Sequence, residues 1–318
     1  MDADFKSREV IRPFHTLDRG RPRVILDTDA KNEVDDQFAI VHCLLTPGFD
    51  MRGIIPSHFG FRPGESRTGQ EDSRKEVDHL LAMMELSGSI RVEDGAPHAI
   101  PDYVTPAPSP GADLIIEEAM RDTDSPLYVA FTGPLTDMAS ALLKEPRIAE
   151  CDMTVIWIGG PPYEEPPHYW PEYNLSNDVV AANVVFSSEL KLWQIPMETY
   201  RATAISFVEL EERVEPCGEL GAYLARQLLD AADEIEPYHM NLWCLGDQPA
   251  IGVMINPVIG RFRERSAPTF RFDCSMEFNT PSRPIRVYET VDMRFLYEDF
   301  FLRLRRFADG RGQGGGSQ

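Results

Sequence analysis

Between residues 23 and 195 the chain switches repeatedly from short apolar runs to stretches with helical apolar spacing, and few architectures accept that alternation. Residues 23–26, 51–56, 127–131, 155–158 and 191–195 read as strands. Helical spacing occupies 34–45, 74–86, 115–120, 135–143 and 179–187. Strands joined through helices run parallel and must be covered on both faces. The expected fold is therefore α/β, a single domain over residues 1–308 with a mostly parallel central sheet flanked by helices on both faces. Short alternating segments at 270–274 and 285–288 predict an antiparallel edge hairpin, and 309–318 (DGRGQGGGSQ) a flexible Gly-rich tail. The long connections 56–73 and 160–173 follow strands, where open α/β sheets build their ligand crevice.

Charge narrows the partners. Fifty-two acidic against 31 basic side chains leave a formal net charge of −21, a surface that repels polyanions, so no nucleic-acid partner is expected. At 42% hydrophobic residues the chain can bury a sizeable core. No 18 apolar residues run together, which predicts no membrane span. The first residues, MDADFKSREVIRPF, carry charges where a signal peptide needs an apolar stretch, so a cytoplasmic protein is expected. Five scattered cysteines, with no CxxC pair, read as reduced thiols.

The densest chemical signal is Asp27-Thr28-Asp29-Ala30-Lys31-Asn32-Glu33-Val34-Asp35-Asp36, five acids where a buried strand delivers its end into the crevice. Carboxylates so crowded repel one another unless a cation neutralises them, and oxygen-only donors select a hard ion such as Ca²⁺ or Mg²⁺. Acids at a helix N-terminus also complement its dipole. That alternative covers Glu33, Asp35 and Asp36 but not Asp27 and Asp29, which precede the helix. Far downstream, Asp247 opens an apolar run after Leu245-Gly246; it reads either as an N-cap or as an acid closing a metal site from the opposite side. Thr132-Gly133-Pro134 follows a strand and turns into a helix. Glu172 and Asn174, at i and i+2 on an extended chain, project to one side and suit the vicinal hydroxyls of a sugar. Asn177 or Asp178 is expected to cap the helix that follows.

Taken together and in this order, the DTD…DD strand end, the TGPLT turn at 132–136, the apolar strand ending in Gly159-Gly160, the E-x-N-x-x-x-D-x-x-A-A segment from Glu172 and the distal Asp247 resemble the nucleoside hydrolase family, the inosine-uridine-type N-ribosyl hydrolases. The resemblance spans roughly residues 22–260. It implies a Ca²⁺ held by Asp29, Asp36, Asp247 and the carbonyl of Thr132. It further implies a sugar pocket completed by Asp35, Glu172 and Asn174, with Asp29 as the general base that activates a metal-bound water to attack C1′. Thr28 and Asp27 would orient these ligands from behind. The implied partner is a small-molecule nucleoside or riboside, and the implied assembly a homodimer or homotetramer.

The chain also departs from the family pattern. Five residues, Ala30 to Val34, separate the second Asp from the paired acids where the family has three, so the longer loop holding Asn32 and Glu33 either adds a sugar or leaving-group contact or changes the metal geometry. Asn residues of the family pattern fall here near Phe61 and on Pro166, a His-Gly pair is missing between 95 and 115, and the His that commonly precedes the distal Asp, and helps to protonate the leaving base, is Gly246. Stacking residues must then take over on that side. Tyr238, His239 and Trp243 lie just upstream of Asp247, and Tyr163, His168 and Trp170 precede Glu172; Trp243 and His239 are the foremost leaving-group candidates, with His58 a further substrate contact. Two rival readings stay open. A haloacid-dehalogenase-like Mg²⁺ phosphatase would use Asp27 as nucleophile and Asp29 as acid/base, but leaves Asp35-Asp36 and Glu172 unexplained. A sugar- or nucleoside-binding protein of the same fold would keep the contacts without turnover.

Overall fold

In the computed structural model, which describes residues 21–60, 69–164, 171–234, 241–278 and 282–312, the strands are β1 (Arg23–Thr28), β2 (Asp50–Pro56), β3 (Leu127–Phe131), β4 (Met153–Ile158), β5 (Lys191–Ile195), β6 (Ala204–Ser206), β7 (Leu242–Cys244), β8 (Phe262–Ser266), β9 (Thr269–Phe270), β10 (Met276–Glu277) and β11 (Pro284–Tyr288). The helices are α1 (Asp36–Leu44), α2 (Gly69–Met83), α3 (Pro110–Ala119), α4 (Thr136–Lys144), α5 (Tyr173–Asn177), α6 (Val179–Phe186), α7 (Met197–Tyr200), α8 (Phe207–Glu209), α9 (Gly218–Glu234), α10 (Gln248–Ile255) and α11 (Met293–Gly312). The main sheet has the order β2-β1-β3-β4-β5-β11-β8. Every neighbouring pair runs parallel except β11 with β8. The molecule is thus the expected α/β architecture.

Its strands are apolar along their length because both faces are covered. β1 and β4 are buried at every position. On one face α1, α9, α10 and α11 contribute Phe38, Leu224, Ile251 and Phe300 to a continuous core; on the other, α3, α4 and α6 contribute Leu114, Met138 and Val185. Because β1, β3 and β4 point the same way, their carboxyl ends meet at one edge. Asp29, Thr132 and Gly159 all follow those ends.

Three expectations change. Segment 285–288 pairs antiparallel with β8, and β9 pairs instead with β10, so the two segments expected to form one hairpin belong to different sheets. Their alternation showed strands but not partners, since register depends on which face each buries. Glu172 and Asn174 do not share an extended stretch: Tyr173–Asn177 is a short helix with Glu172 as its cap. The closing helix α11 continues through Gly312, past the Asp309 where the tail was expected. Among the described residues, no helix is long and apolar enough to cross a membrane.

Candidate active site

β1 ends in Asp27 and Thr28, and the chain then turns sharply. The Asn32 amide donates to the Asp29 carbonyl at 3.0 Å, closing a four-residue turn whose third residue, Lys31, has φ +86°. That place favours glycine. Lys31 reaches Glu76 at 3.4 Å, a half-exposed ion pair that stabilises little. The loop is also tied at its far end, where Gln227 donates to the Val34 carbonyl at 2.9 Å.

Asp35 and Asp247 occupy the N-cap positions of α1 and α10, yet neither side chain bonds its own helix. Their carboxylates turn to each other and to Asp36: oxygens of Asp35, Asp36 and Asp247 all lie within 4.8 Å of one another, buried. A capping role therefore does not account for Asp247. Thr28 Oγ1, from β1, donates to Asp36 Oδ1 at 2.5 Å, and Thr132 Oγ1, after β3, lies 2.9 Å from the same oxygen. That arrangement orients Asp36 and leaves its Oδ2 for the cluster.

Burial, then mutual repulsion, pushes the Asp29, Asp35 and Asp247 carboxyls well above their ordinary value. Burial also raises Asp36 to about 6, against the opposing pull of the Thr28 and Thr132 hydroxyls. Glu33 is solvent-exposed, yet the crevice crowds its carboxyl enough for burial to raise it; Arg201 acts the other way. A set of buried oxygens held together against their own repulsion fits a hard divalent cation. The structure places Asp35 in the tightest group, whereas the expected quartet was Asp29, Asp36, Asp247 and the Thr132 carbonyl. Asp29 stands beside that group, and its charge weighs on Asp247. The Thr132 carbonyl accepts from Asn174 Nδ2 at 2.8 Å and keeps a second lone pair.

Gly133 sets the Asp29 side chain in place. A Cβ at 133 would come within 2.8 Å of Asp29 Cγ and 3.0 Å of its Oδ1. Gly133→Ala is therefore expected to push Asp29 aside and weaken the affinity for a divalent cation by about 10- to 100-fold, the effect typical of groups that orient metal ligands. Calorimetric titration measures this, and unchanged affinity would show that Asp29 does not need its present position.

Glu172 and Asn174 form the adjoining wall. Glu172 Oε2 accepts from the Gly160 and Leu175 amides, both at 2.8 Å, and Oε1 from the Asn174 amide at 3.2 Å. Asn174 Nδ2 also donates to the Ile158 carbonyl at 2.9 Å, which leaves Oδ1 as its remaining acceptor. Asp178 caps α6 by accepting from the Ala181 amide at 2.8 Å, while Asn177 Oδ1 accepts from the Gly60 amide at 2.8 Å. Asn32 leans on Asp29: its Nδ2 donates to Asp29 Oδ2 at 3.3 Å.

The remaining candidates separate. His58 is buried 2.8 Å from the Thr136 hydroxyl, which itself donates to Asp178, so the imidazole must donate from Nε2. Burial lowers His58 to about 4, which keeps the ring neutral near pH 7. Trp243 lies on β7, opposite Ile205 of β6, half-buried against the core. Tyr163 is turned to Gln194, to whose Oε1 its hydroxyl donates at 2.7 Å. His239, Tyr238, His168, Trp170, Phe61 and Pro166 lie outside the described residues. Asp27 is fully buried, facing Asp137 and Ser57, and burial followed by the Asp137 charge raises it well above its ordinary value. A phosphatase nucleophile needs open access, which Asp27 lacks.

One residue carried no signal in the sequence. Tyr200, the last residue of α7, donates to Glu172 Oε1 at 3.0 Å, and its ring lies 3.0 Å from the place a Cβ at Gly246 would take. No motif surrounds it; only the folded chain brings it there.

The chain and its fold have counterparts among known proteins. The family described as inosine-uridine preferring nucleoside hydrolase matches residues 24–294. The chain is similar to the inosine-uridine preferring nucleoside hydrolase of Leishmania major, 28% identical over 148 residues that cover 46% of each protein. It is also similar to the pyrimidine-specific ribonucleoside hydrolase RihA of Escherichia coli O1:K1, 23% identical over 220 residues, 65% of this chain and 70% of that one. Among solved structures, the fold is shared with a purine-preferring ribonucleoside hydrolase from Gardnerella vaginalis, with TM-score 0.72, 21% identity, and 90% of this chain and 99% of that one covered. A plant nucleoside hydrolase, PpNRh1, shares it with TM-score 0.71, 19% identity and the same coverage. The family match runs through the acid-rich end of β1, the Thr132–Gly133 turn and Asp247 alike, and the chain belongs to the inosine-uridine preferring nucleoside hydrolase family.

Proposed function

We propose that the protein hydrolyses the N-glycosidic bond of a ribonucleoside or a related N-riboside, releasing ribose and the free base. The observation that carries this reading is the buried group of Asp35, Asp36 and Asp247, with Asp29 beside it, at the strand ends of a nucleoside hydrolase fold. Asp29, Asp36, Asp247 and the Thr132 carbonyl would hold Ca²⁺, with Asp35 close enough to share in it. When bound, the ion supplies Lewis-acid polarisation of water and an anchor for vicinal hydroxyls.

The residues of the chain do the rest. Asp29 takes the proton of the attacking water, whose oxygen bonds to C1′ as the C1′–N bond breaks and its electron pair leaves with the base; the leaving nitrogen takes up a proton, and Asp29 returns its own to solvent. Positive charge develops on the sugar in that transition state, and the surrounding carboxylates stabilise it. Asp35, Asn32, Glu172 and Asn174 hold the sugar. Trp243 and His239 serve the departing base, since Gly246 contributes no side chain of its own. His58, neutral and held by Thr136, acts in hydrogen bonding and not as the acid.

An assay with a panel of purine and pyrimidine nucleosides and a generic phosphate ester, with and without Ca²⁺, tests the proposal. Free ribose from at least one nucleoside, dependent on Ca²⁺, is expected. Phosphate release would favour the phosphatase, and binding without turnover of any substrate would favour a sugar-binding protein.

A further inference from the structure

Tyr200 joins two parts of the site that lie far apart in sequence. Its hydroxyl donates to Glu172 Oε1, while its ring lies 3.0 Å from the position a Cβ on Gly246 would take, a position that is itself 3.3 Å from Asp35 Oδ2. Every other hydrogen-bond donor described on the Glu172 carboxylate is a backbone amide, from Gly160, Asn174 and Leu175. We propose that Tyr200 is a positioning residue: it fixes Glu172 for a sugar hydroxyl and, seated against Gly246, sets that carboxylate in register with the acidic cluster. This rests on the reading that Glu172 holds the sugar.

Three features support the assignment. Burial, and then the Glu172 charge, hold the phenol well above its ordinary value, so it stays a donor at neutral pH. The Tyr200 backbone is anchored independently of the ring, its carbonyl accepting from the Thr203 amide at 3.0 Å and from Cys244 Sγ at 3.3 Å. Gly246 leaves room for the ring, and a methyl group there would press on Tyr200 Cδ2 from 3.0 Å.

Tyr200→Phe keeps the ring and removes the one hydroxyl. A hydrogen bond to a charged group is worth enough that kcat/KM for the best ribonucleoside should fall about tenfold or more, chiefly through KM. The decisive comparison is with the matching 2′-, 3′- and 5′-deoxynucleosides. If Tyr200 acts through Glu172, the penalty should collapse for the one analogue lacking the hydroxyl that Glu172 holds, and persist for the others. An equal penalty on all substrates would mark a merely structural role and overturn the proposal, as would no penalty at all. Should the Phe variant fold poorly, Glu172→Gln with and without Tyr200→Phe provides the second test: non-additive losses support the coupling, and full additivity overturns it. Wild-type protein that releases no ribose would instead overturn the hydrolase reading itself.

Discussion

Asp29→Asn is expected to lower kcat/KM for ribonucleoside hydrolysis by about 10³- to 10⁴-fold, the upper range for removal of a general base. The substitution is nearly isosteric, and Asn32 and Gly133 still frame the site. What changes is the ability to take a proton, together with one negative charge toward the cation, so the comparison is made at saturating Ca²⁺ with bound metal measured in both proteins. Melting temperature should stay within a few degrees, and in the metal-free protein it should rise, because one of several mutually repelling carboxyls has gone. Loss of activity with undiminished stability separates a base from a structural acid. Activity within tenfold of wild type would assign the proton to another group, and a large fall in stability would make Asp29 a structural residue.

The second large effect concerns the cation and the pH together. In the metal-free protein the carboxyls of Asp29, Asp35, Asp36 and Asp247 are all raised, Asp36 to about 6 from an ordinary 3.8. A carboxyl raised on folding holds its proton more tightly in the native state. Its contribution to stability is fully present below the unfolded value and lost as pH rises through the folded one. Chelated protein should therefore melt at higher temperature near pH 5 than at pH 7, opposite to the trend when carboxylates are ion-paired. Adding Ca²⁺ should cancel that slope, since the ion needs the same groups deprotonated. At a thousandfold excess over Kd the ion should stabilise the fold by about 4 kcal/mol at neutral pH, several degrees in Tm for a chain of this length. Scanning calorimetry at two pH values, with chelator and with Ca²⁺, measures all four states. A chelated protein whose Tm falls on acidification would show that the cluster is not a repelling one.

The sequence was most legible where one local rule sufficed. β3 and β5 begin and end where their apolar runs do. α3 starts five residues earlier than the periodicity indicates, because its first turn is announced by a different signal: Ser109 accepts from the Ala112 amide at 2.8 Å, with Pro110 as the first helical residue. The acids at positions 29, 35, 36 and 247 could be read as one site because each sits at the end of a strand or the start of a helix. Glu172 illustrates the limit: its spacing to Asn174 suggested a shared extended face, but the carboxylate bonds the amides of its own turn and so starts a helix. Tyr200 was illegible for a deeper reason. Its partners, Glu172 and Gly246, lie on segments that meet only after the sheet is assembled, and a lone tyrosine after a strand looks like any packing aromatic.

Asp36 begins α1 and Asp247 precedes α10, and the two stand about 210 residues apart along the chain. An ion gripped by both is in effect a removable cross-link. A covalent closure of such a loop would be worth on the order of 5 kcal/mol through the unfolded chain's lost freedom, and an ionic one would deliver part of that only while the ion is present. The amino-terminal helices and α10 would then be stapled only in loaded protein, and the first segment to exchange its amide hydrogens on chelation should be the start of α10.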